Sequence, residues 1–244
     1  MAPEIIPARL GTGARGGFTT AVTAVAGTGG PAGPVQEQRA QDNRELLAEA
    51  LGVPVQWMRQ VHGPAVAVVT EPPAPGGELP EADVLVADAR PGGTDLAVGV
   101  LVADCAPVLL ASADAGVVAA VHVGRRGLLA GVLQAALGEM ERRGVVLADL
   151  YAAVGPGICG RCYEVPEQLR DEVAAQVPGT AGETSWGTPS LDVPAGVLGR
   201  LEAAGVRRVH HVDRCTYEDD ALFSYRRAGA AERFAGVVRT VLGD

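Results

Sequence analysis

The sequence predicts an α+β fold: one domain, spanning residues 1–244, in which a mixed β-sheet is flanked by helices. Three observations lead there. Short runs rich in Val, Leu and Ala alternate with segments whose apolar residues recur at helical spacing. No long linker and no repeat interrupts the 244 residues, a length within the single-domain range. The chain carries 33 Gly and 17 Pro, which punctuate many turns between short elements.

Residues 1–34 include a stretch rich in Gly, Thr and Ala from Gly11 to Pro34, read as a loop or hairpin. Val35 to Leu51 has helical spacing, with Gly52 as its C-cap. Val55 to Val61 and Pro64 to Thr70 read as strands on either side of His62, followed by a Pro/Gly-rich loop from Glu71 to Pro80. Asp83 to Ala87, Leu96 to Val102, Pro107 to Ala111 and Val117 to Val121 suit buried strands. Gly127 to Arg143 reads as one helix ended by Gly144, and Leu150 to Val154 as a strand. Pro166 to Val177 starts with Pro at a first helical position. Asp192 to Ala204 has an Asp cap and Gly205 beyond its end. Val206 to Val212 and Phe234 to Leu242 close the series as strands.

The formal net charge is −9. Such a chain is repelled by phosphate backbones and anionic lipid, which argues against nucleic-acid and membrane-surface partners while leaving room for a local basic pocket. No apolar run approaches the roughly 20 residues that span a bilayer. The N-terminus has no basic start followed by an apolar block. A cytoplasmic location is the expectation, and there thiols stay free or bind metal. No heptad pattern is present, and a monomer is the default.

Four histidines and four cysteines carry the chemistry. His62 lies in Q-V-H-G, His122 in H-V-G-R-R-G and Cys105 in A-D-C-A-P, each at the end of an apolar strand and before a turn. Residue type alone leaves two readings: strand-end histidines with a buried structural cysteine, or three ligands converging on a metal. Two imidazoles and a thiolate suit zinc, and three protein ligands leave a fourth position open for catalysis. Zinc lowers the pKa of a bound water to about 7.

These motifs stand in the order and spacing of the YfiH-like family, also called the laccase-domain or multicopper polyphenol oxidase family, whose bacterial members include the peptidoglycan editing factor. The chain resembles that family further in A-R-G-G-F-T (14–19), D-N-R (42–44), A-D-V-L-V-A-D (82–88), G-P-G-I-C-G-R-C-Y-E-V (155–165), the Cys215-Thr216 pair and F-S-Y-R-R (223–227). The resemblance implies a YfiH-like fold and a zinc site made by His62, Cys105 and His122. One departure stands out: the family's usual H-A-G-W-R-G has Arg125 in place of Trp, which changes a pocket wall and not a ligand.

Arg15, beside Gly16 and Gly17, and Arg126, close behind a ligand, are candidates for holding phosphate. Asn43 and Arg44 are candidates for the pocket border. Asp104 is a candidate for orienting a histidine ligand, and Cys162 for an additional pocket residue. Cys159 and Cys162 form one C-x-x-C, open to a redox reading although no helix follows directly. His210 and His211 read as strand-end surface residues. Tyr225, Arg226 and Arg227 read either as a solvated face or as a pocket rim.

Four reactions compete. Copper oxidation of phenols needs a three-copper cluster, and only His210 and His211 remain to build one. The resemblance implies zinc-dependent phosphorolysis of adenosine, inosine, guanosine or methylthioadenosine, with adenosine deamination; this reading stands first. Removal of a wrongly built peptidoglycan precursor stands second, beside a metal-free Cys105–His122 hydrolase. A non-catalytic metal protein would need a fourth ligand, from Cys162 or Cys215.

Overall fold

Two mixed six-stranded sheets lie face to face, with helices on both outer sides. The computed structural model describes residues 4–11, 13–20, 25–26, 34–229 and 232–242. Its strands are β1 Ile5–Pro7, β2 Arg15–Thr19, β3 Val25–Ala26, β4 Val55–Gln56, β5 Val66–Val69, β6 Val84–Asp88, β7 Ala97–Val102, β8 Ala106–Ala111, β9 Val117–Val123, β10 Tyr151–Val154, β11 Ala181–Glu183, β12 Pro189–Leu191, β13 Arg208–His211 and β14 Glu232–Arg239. Its helices are α1 Pro34–Leu51, α2 Arg125–Leu129, α3 Val132–Arg142, α4 Glu167–Gln176, α5 Val193–Ala203 and α6 Tyr225–Ala228.

The first sheet runs β1-β2-β14-β7-β4, with β3 also on β14; the second runs β13-β10-β8-β9-β6-β5. Each is antiparallel in its interior and gains parallel strands at its edges: β4 beside β7, β13 beside β10 and β5 beside β6. Strands β11 and β12 form a separate hairpin.

Strand alternation sorts the side chains into three apolar layers. In β9, Val117, Ala119, Val121 and Val123 face the helices, where they meet Leu128, Leu133, Met140, Val197 and Leu201. Val118 and Ala120 face the first sheet, in a layer with Leu85, Leu109, Val98, Val100, Phe18 and Phe234. On the far side of the first sheet, Leu47 and Leu51 of α1 cover Ala97, Leu101, Ala235 and Val237. The central strands are therefore buried on both faces, and that is why their sequences read as unbroken apolar runs without polar alternation.

The expected alternation of strands and helices is present, with four differences. The expected mixed sheet is two sheets. The expected helix from Gly127 to Arg143 is two helices, because Gly131 adopts the left-handed conformation (φ +80°) and starts a new one. The strand expected from Val55 to Val61 stops at Gln56, since the chain there leaves the first sheet and crosses toward the second, where Arg59 bridges Glu81. Within Gly11 to Pro34, read as a loop or hairpin, β2 is an interior strand of the first sheet and β3 pairs with β14; the rest of that segment lies mostly outside the described residues.

Phe18 is fully buried between the sheets, and a Cβ built on Gly155 would clash with its ring and, less severely, with Pro107. Phe18→Ala should lower stability by about 3–5 kcal/mol, read from urea unfolding midpoints. Gly155→Ala should also destabilise. The double variant should lose less than the sum of the two, because the truncated ring makes room for the added methyl.

Candidate metal centre and its pocket

The candidate metal centre forms where the chain crosses between the sheets. Gln60 prepares the crossing: its side-chain amide donates to the Leu101 carbonyl at 2.7 Å and accepts from the Leu101 N–H at 2.9 Å, imitating a strand pair on β7. The next turn places His62 in a left-handed conformation, φ +62°. Cys105 enters from the opposite side, just before β8, after Asp104 with φ +85°. His122 comes from β9, on the face that it shares with Val118 and Ala120.

Asp83 connects these parts. The register of β6 with β9 pairs Val84 with Val121, which sets Asp83 opposite His122. Oδ1 of Asp83 accepts from Nδ1 of His122 at 2.7 Å. The same carboxylate accepts from the backbone N–H groups of Val61 at 3.2 Å, His62 at 2.9 Å and Gly63 at 2.7 Å. Burial alone would raise the Asp83 pKa; the His122 hydrogen bond and the backbone donors outweigh it and hold the carboxyl below its usual range. With Nδ1 committed to a carboxylate, His122 presents Nε2 to the site, the usual outer partnership of a metal-binding histidine.

The ligand atoms of His62, Cys105 and His122 all lie within 4.8 Å of one another. The two imidazoles meet edge to face, centroids 4.6 Å apart, and Cys105 Sγ lies 3.9 Å from His62 Nε2. A tetrahedral zinc with bonds of about 2.0–2.3 Å fits three such donors after small side-chain movements. Burial pushes the Cys105 thiol up, but the facing His122, and after it His62, bring it down to about 6. Burial pushes His122 down, and the Cys105 charge and Asp83 raise it to about 9. The two groups thus pull each other toward a thiolate beside an imidazolium.

Beside the centre opens a pocket of about 720 Å³. Leu101, Ile158 and Val193 give it apolar wall, Tyr163 and Tyr225 give aromatic faces, and Arg125, Arg226 and Arg233 give positive charge. Arg226 lies over the Tyr163 ring and Arg233 over Tyr225. Gly124 makes the floor: a Cβ there would sit 2.9 Å from Cys105 Sγ and 3.0 Å from His62 Cδ2.

The other sequence candidates fall as follows. Arg126 is exposed and outside the pocket lining, where its neighbour Arg125, at the family's Trp position, stands instead. Arg15 pairs with Arg239 at one end of β14, whereas the pocket adjoins the other end, at Arg233. Arg44 stacks over Trp57 on the α1 side of the first sheet; neither it nor Asn43 lines the pocket. Asp104 does line it but orients no histidine: its carboxylate accepts from Thr216 Oγ1 and from the Arg226 N–H, both at 2.6 Å. Asp83 has the orienting role instead, recognisable from sequence only if the β6–β9 register is known. Tyr225 and Arg226 are pocket rim, while Arg227 turns inward to the carbonyls of Thr216, Tyr217 and Leu222. His210 and His211 lie on β13, and His210 accepts from the Arg9 N–H. Cys162 is buried with Cys159 and Cys215 and does not line the pocket. Burial and the neighbouring thiols push Cys159 and Cys162 up, opposite to the lowered pKa of a redox C-x-x-C.

Residues 14–240 match the family model described as multi-copper polyphenol oxidoreductase laccase, and the chain belongs to that family. Its relatives carry a more specific name. A protein named purine nucleoside phosphorylase from Streptomyces griseus is 50% identical over 199 residues, covering 80% of this chain and 79% of that one. A Corynebacterium glutamicum protein of the same name is 41% identical, covering 82% of this chain and 81% of that one. Among solved structures, a Neisseria meningitidis protein of the DUF152 family superposes with a TM-score of 0.82 at 29% identity, covering 98% and 100% of the two chains. YlmD from Geobacillus stearothermophilus gives 0.77 at 29% identity, covering 94% and 93%. No helix among the described residues is long and apolar enough to cross a membrane.

Three outcomes follow from this geometry. Asp83→Asn should weaken metal binding about 10–100-fold in a chelator competition. Gly124→Ala should also weaken it, by placing a methyl against both Cys105 and His62. Metal entering at neutral pH must expel the His122 proton, so affinity should rise about tenfold per pH unit between about 6 and 9 and level off above. Below about 6 the slope should steepen as the Cys105 thiol proton must leave too.

Proposed function

We propose that this pocket is the active site of a zinc-dependent purine nucleoside phosphorylase that also deaminates adenosine. The observation that carries the reading is the joining of one open three-ligand centre to a pocket with three arginines and two tyrosines. The names of the relatives support the phosphorylase part of it.

Phosphorolysis needs a held phosphate, a held nucleoside and an exit for the purine. The C1′–N9 bond of the nucleoside breaks, a bond from C1′ to a phosphate oxygen forms, and the purine leaves with a proton. Arg125, Arg226 and Arg233 supply the positive wall that holds the phosphate dianion, in the role first considered for Arg15 and Arg126. Tyr163 and Tyr225 offer flat faces to base or sugar, and Leu101, Ile158 and Val193 exclude water beside them. His62, Cys105 and His122 would hold the zinc, which would supply Lewis acidity next to the reacting group. The residues set its position, and Asp83 keeps His122 from rotating away.

Zinc suits the donor set better than a multicopper cluster. With His62 and His122 in the centre, the only other histidines of the sequence are His210 and His211, adjacent on β13. A laccase cluster requires many more.

The test is purified protein and its Cys105→Ala variant, assayed for metal and incubated with adenosine with and without phosphate. The reading expects the variant to hold about one zinc per chain fewer than wild type, with adenine released only with phosphate, inosine released without it, and both activities lost in the variant. Arg125→Ala should raise the KM for phosphate about 10–100-fold, the loss of one charge-assisted contact, with little change at saturating phosphate. Protein that holds zinc and leaves nucleosides untouched would overturn the substrate assignment and turn attention to cell-wall precursors.

A further inference from the structure

Behind the pocket wall lies a second group of side chains able to hold a metal ion, separate from His62, Cys105 and His122. Cys159, Cys162, Cys215 and Glu218 place one ligand atom each within 4.8 Å of one another. They come from two segments far apart in the chain, and both segments have the same form. Cys159-x-x-Cys162 is a tight turn in which the Cys162 N–H donates to the Cys159 carbonyl at 3.0 Å. Cys215-x-x-Glu218 is a turn in which the Asp219 N–H donates to the Cys215 carbonyl at 3.0 Å. A parallel bridge between Gly157 and Cys215 sets the two turns side by side, and the Cys159 N–H points to Cys215 Sγ at 3.4 Å.

We propose that these two turns form a structural zinc site, with three thiolates and the Glu218 carboxylate as its four ligands. Paired turns that each offer two ligands three residues apart are the architecture of closed tetrahedral zinc sites. Three convergent thiols are one more than a disulfide would use, and all four cysteines of the chain are free. Cys162 and Cys215 are buried, which suits ligands shielded from solvent; Glu218 is exposed and paired with Arg161 at 3.3 Å, so it can turn toward an ion. The site is closed, with no position left for substrate, in contrast to the three-ligand centre across the wall.

Its place in the fold gives it a purpose. Ile158 and Tyr163, beside the first turn, line the pocket. Thr216, beside Cys215, holds Asp104, which precedes the active-site thiolate. An ion joining the turns clamps that wall together where little regular sheet supports it.

The experiment uses the Cys105→Ala protein, in which the active-site centre is disabled. Purified under reducing conditions and loaded with zinc, it should retain about one zinc per chain where wild type holds two. Loaded with cobalt, it should show thiolate-to-metal absorption about threefold stronger per ion than a single-thiolate centre. Adding Glu218→Gln, an exposed position that does not threaten folding, should weaken the retained zinc at least tenfold in chelator competition. Adding Cys162→Ser should remove it. The proposal is overturned if Cys105→Ala takes up no zinc or cobalt, if its cobalt spectrum lacks strong thiolate absorption, or if protein prepared without air contains a disulfide among Cys159, Cys162 and Cys215. Because these readouts do not depend on nucleoside turnover, a failure here leaves the active-site reading intact, and the reverse holds as well.

Discussion

The centre depends on one buried carboxylate. Asp83 has no solvent exposure, and a charge in such a place is costly unless donors surround it. Four do: the His122 ring and the three successive amides from Val61 to Gly63. The two ligands that the carboxylate serves belong to different parts of the fold, one on an interior strand and one on a loop crossing between sheets. The arrangement also constrains the second sheet, because a one-residue slip of β6 against β9 would turn Asp83 to the helix side and leave the amides unpaired.

The convergence of His62, Cys105 and His122 was legible in the sequence because they are rare residue types at the ends of apolar runs. Only four histidines and four cysteines exist, and three of these eight stand at the ends of apolar runs within two residues of a glycine or proline. The orienting acid was not legible. Asp83 and Asp88 flank the same apolar run, and only the cross-strand partner distinguishes the ligand holder from the residue that pairs with Arg90 and Arg143. The arginines were misplaced for a similar reason. Arg15 stands beside glycines in sequence, but the register of β2 on β14 carries it to the far end of the sheet. Arg125 and Arg126 differ by one position on a five-residue helix, which is enough to turn one into the pocket and the other into solvent.

The fold class followed from periodicity, whereas the division of the strands into two sheets did not. A strand buried between two sheets and a strand buried between sheet and helix show the same unbroken run of Val, Leu and Ala. Short elements such as β1, β11 and β12, three residues each, carry too few side chains for any period to show. The break at Gly131 was hidden because the apolar spacing of α3 continues that of α2 closely, and the glycine alone marks the left-handed turn.

The position of β14 has a consequence for how the protein is made. This strand, from Glu232 to Arg239, is inserted between β2 and β7, so the middle of the first sheet is empty until that segment, far downstream of both neighbours, has left the ribosome. Strand β9, which carries His122, and strand β8, which follows Cys105, pair with each other and need no such wait. Synthesis thus delivers this part of the second sheet early, with the apolar edge of β7 uncovered beside it. In that interval the nascent chain has one strand edge open to any extended segment that passes, its own or another molecule's.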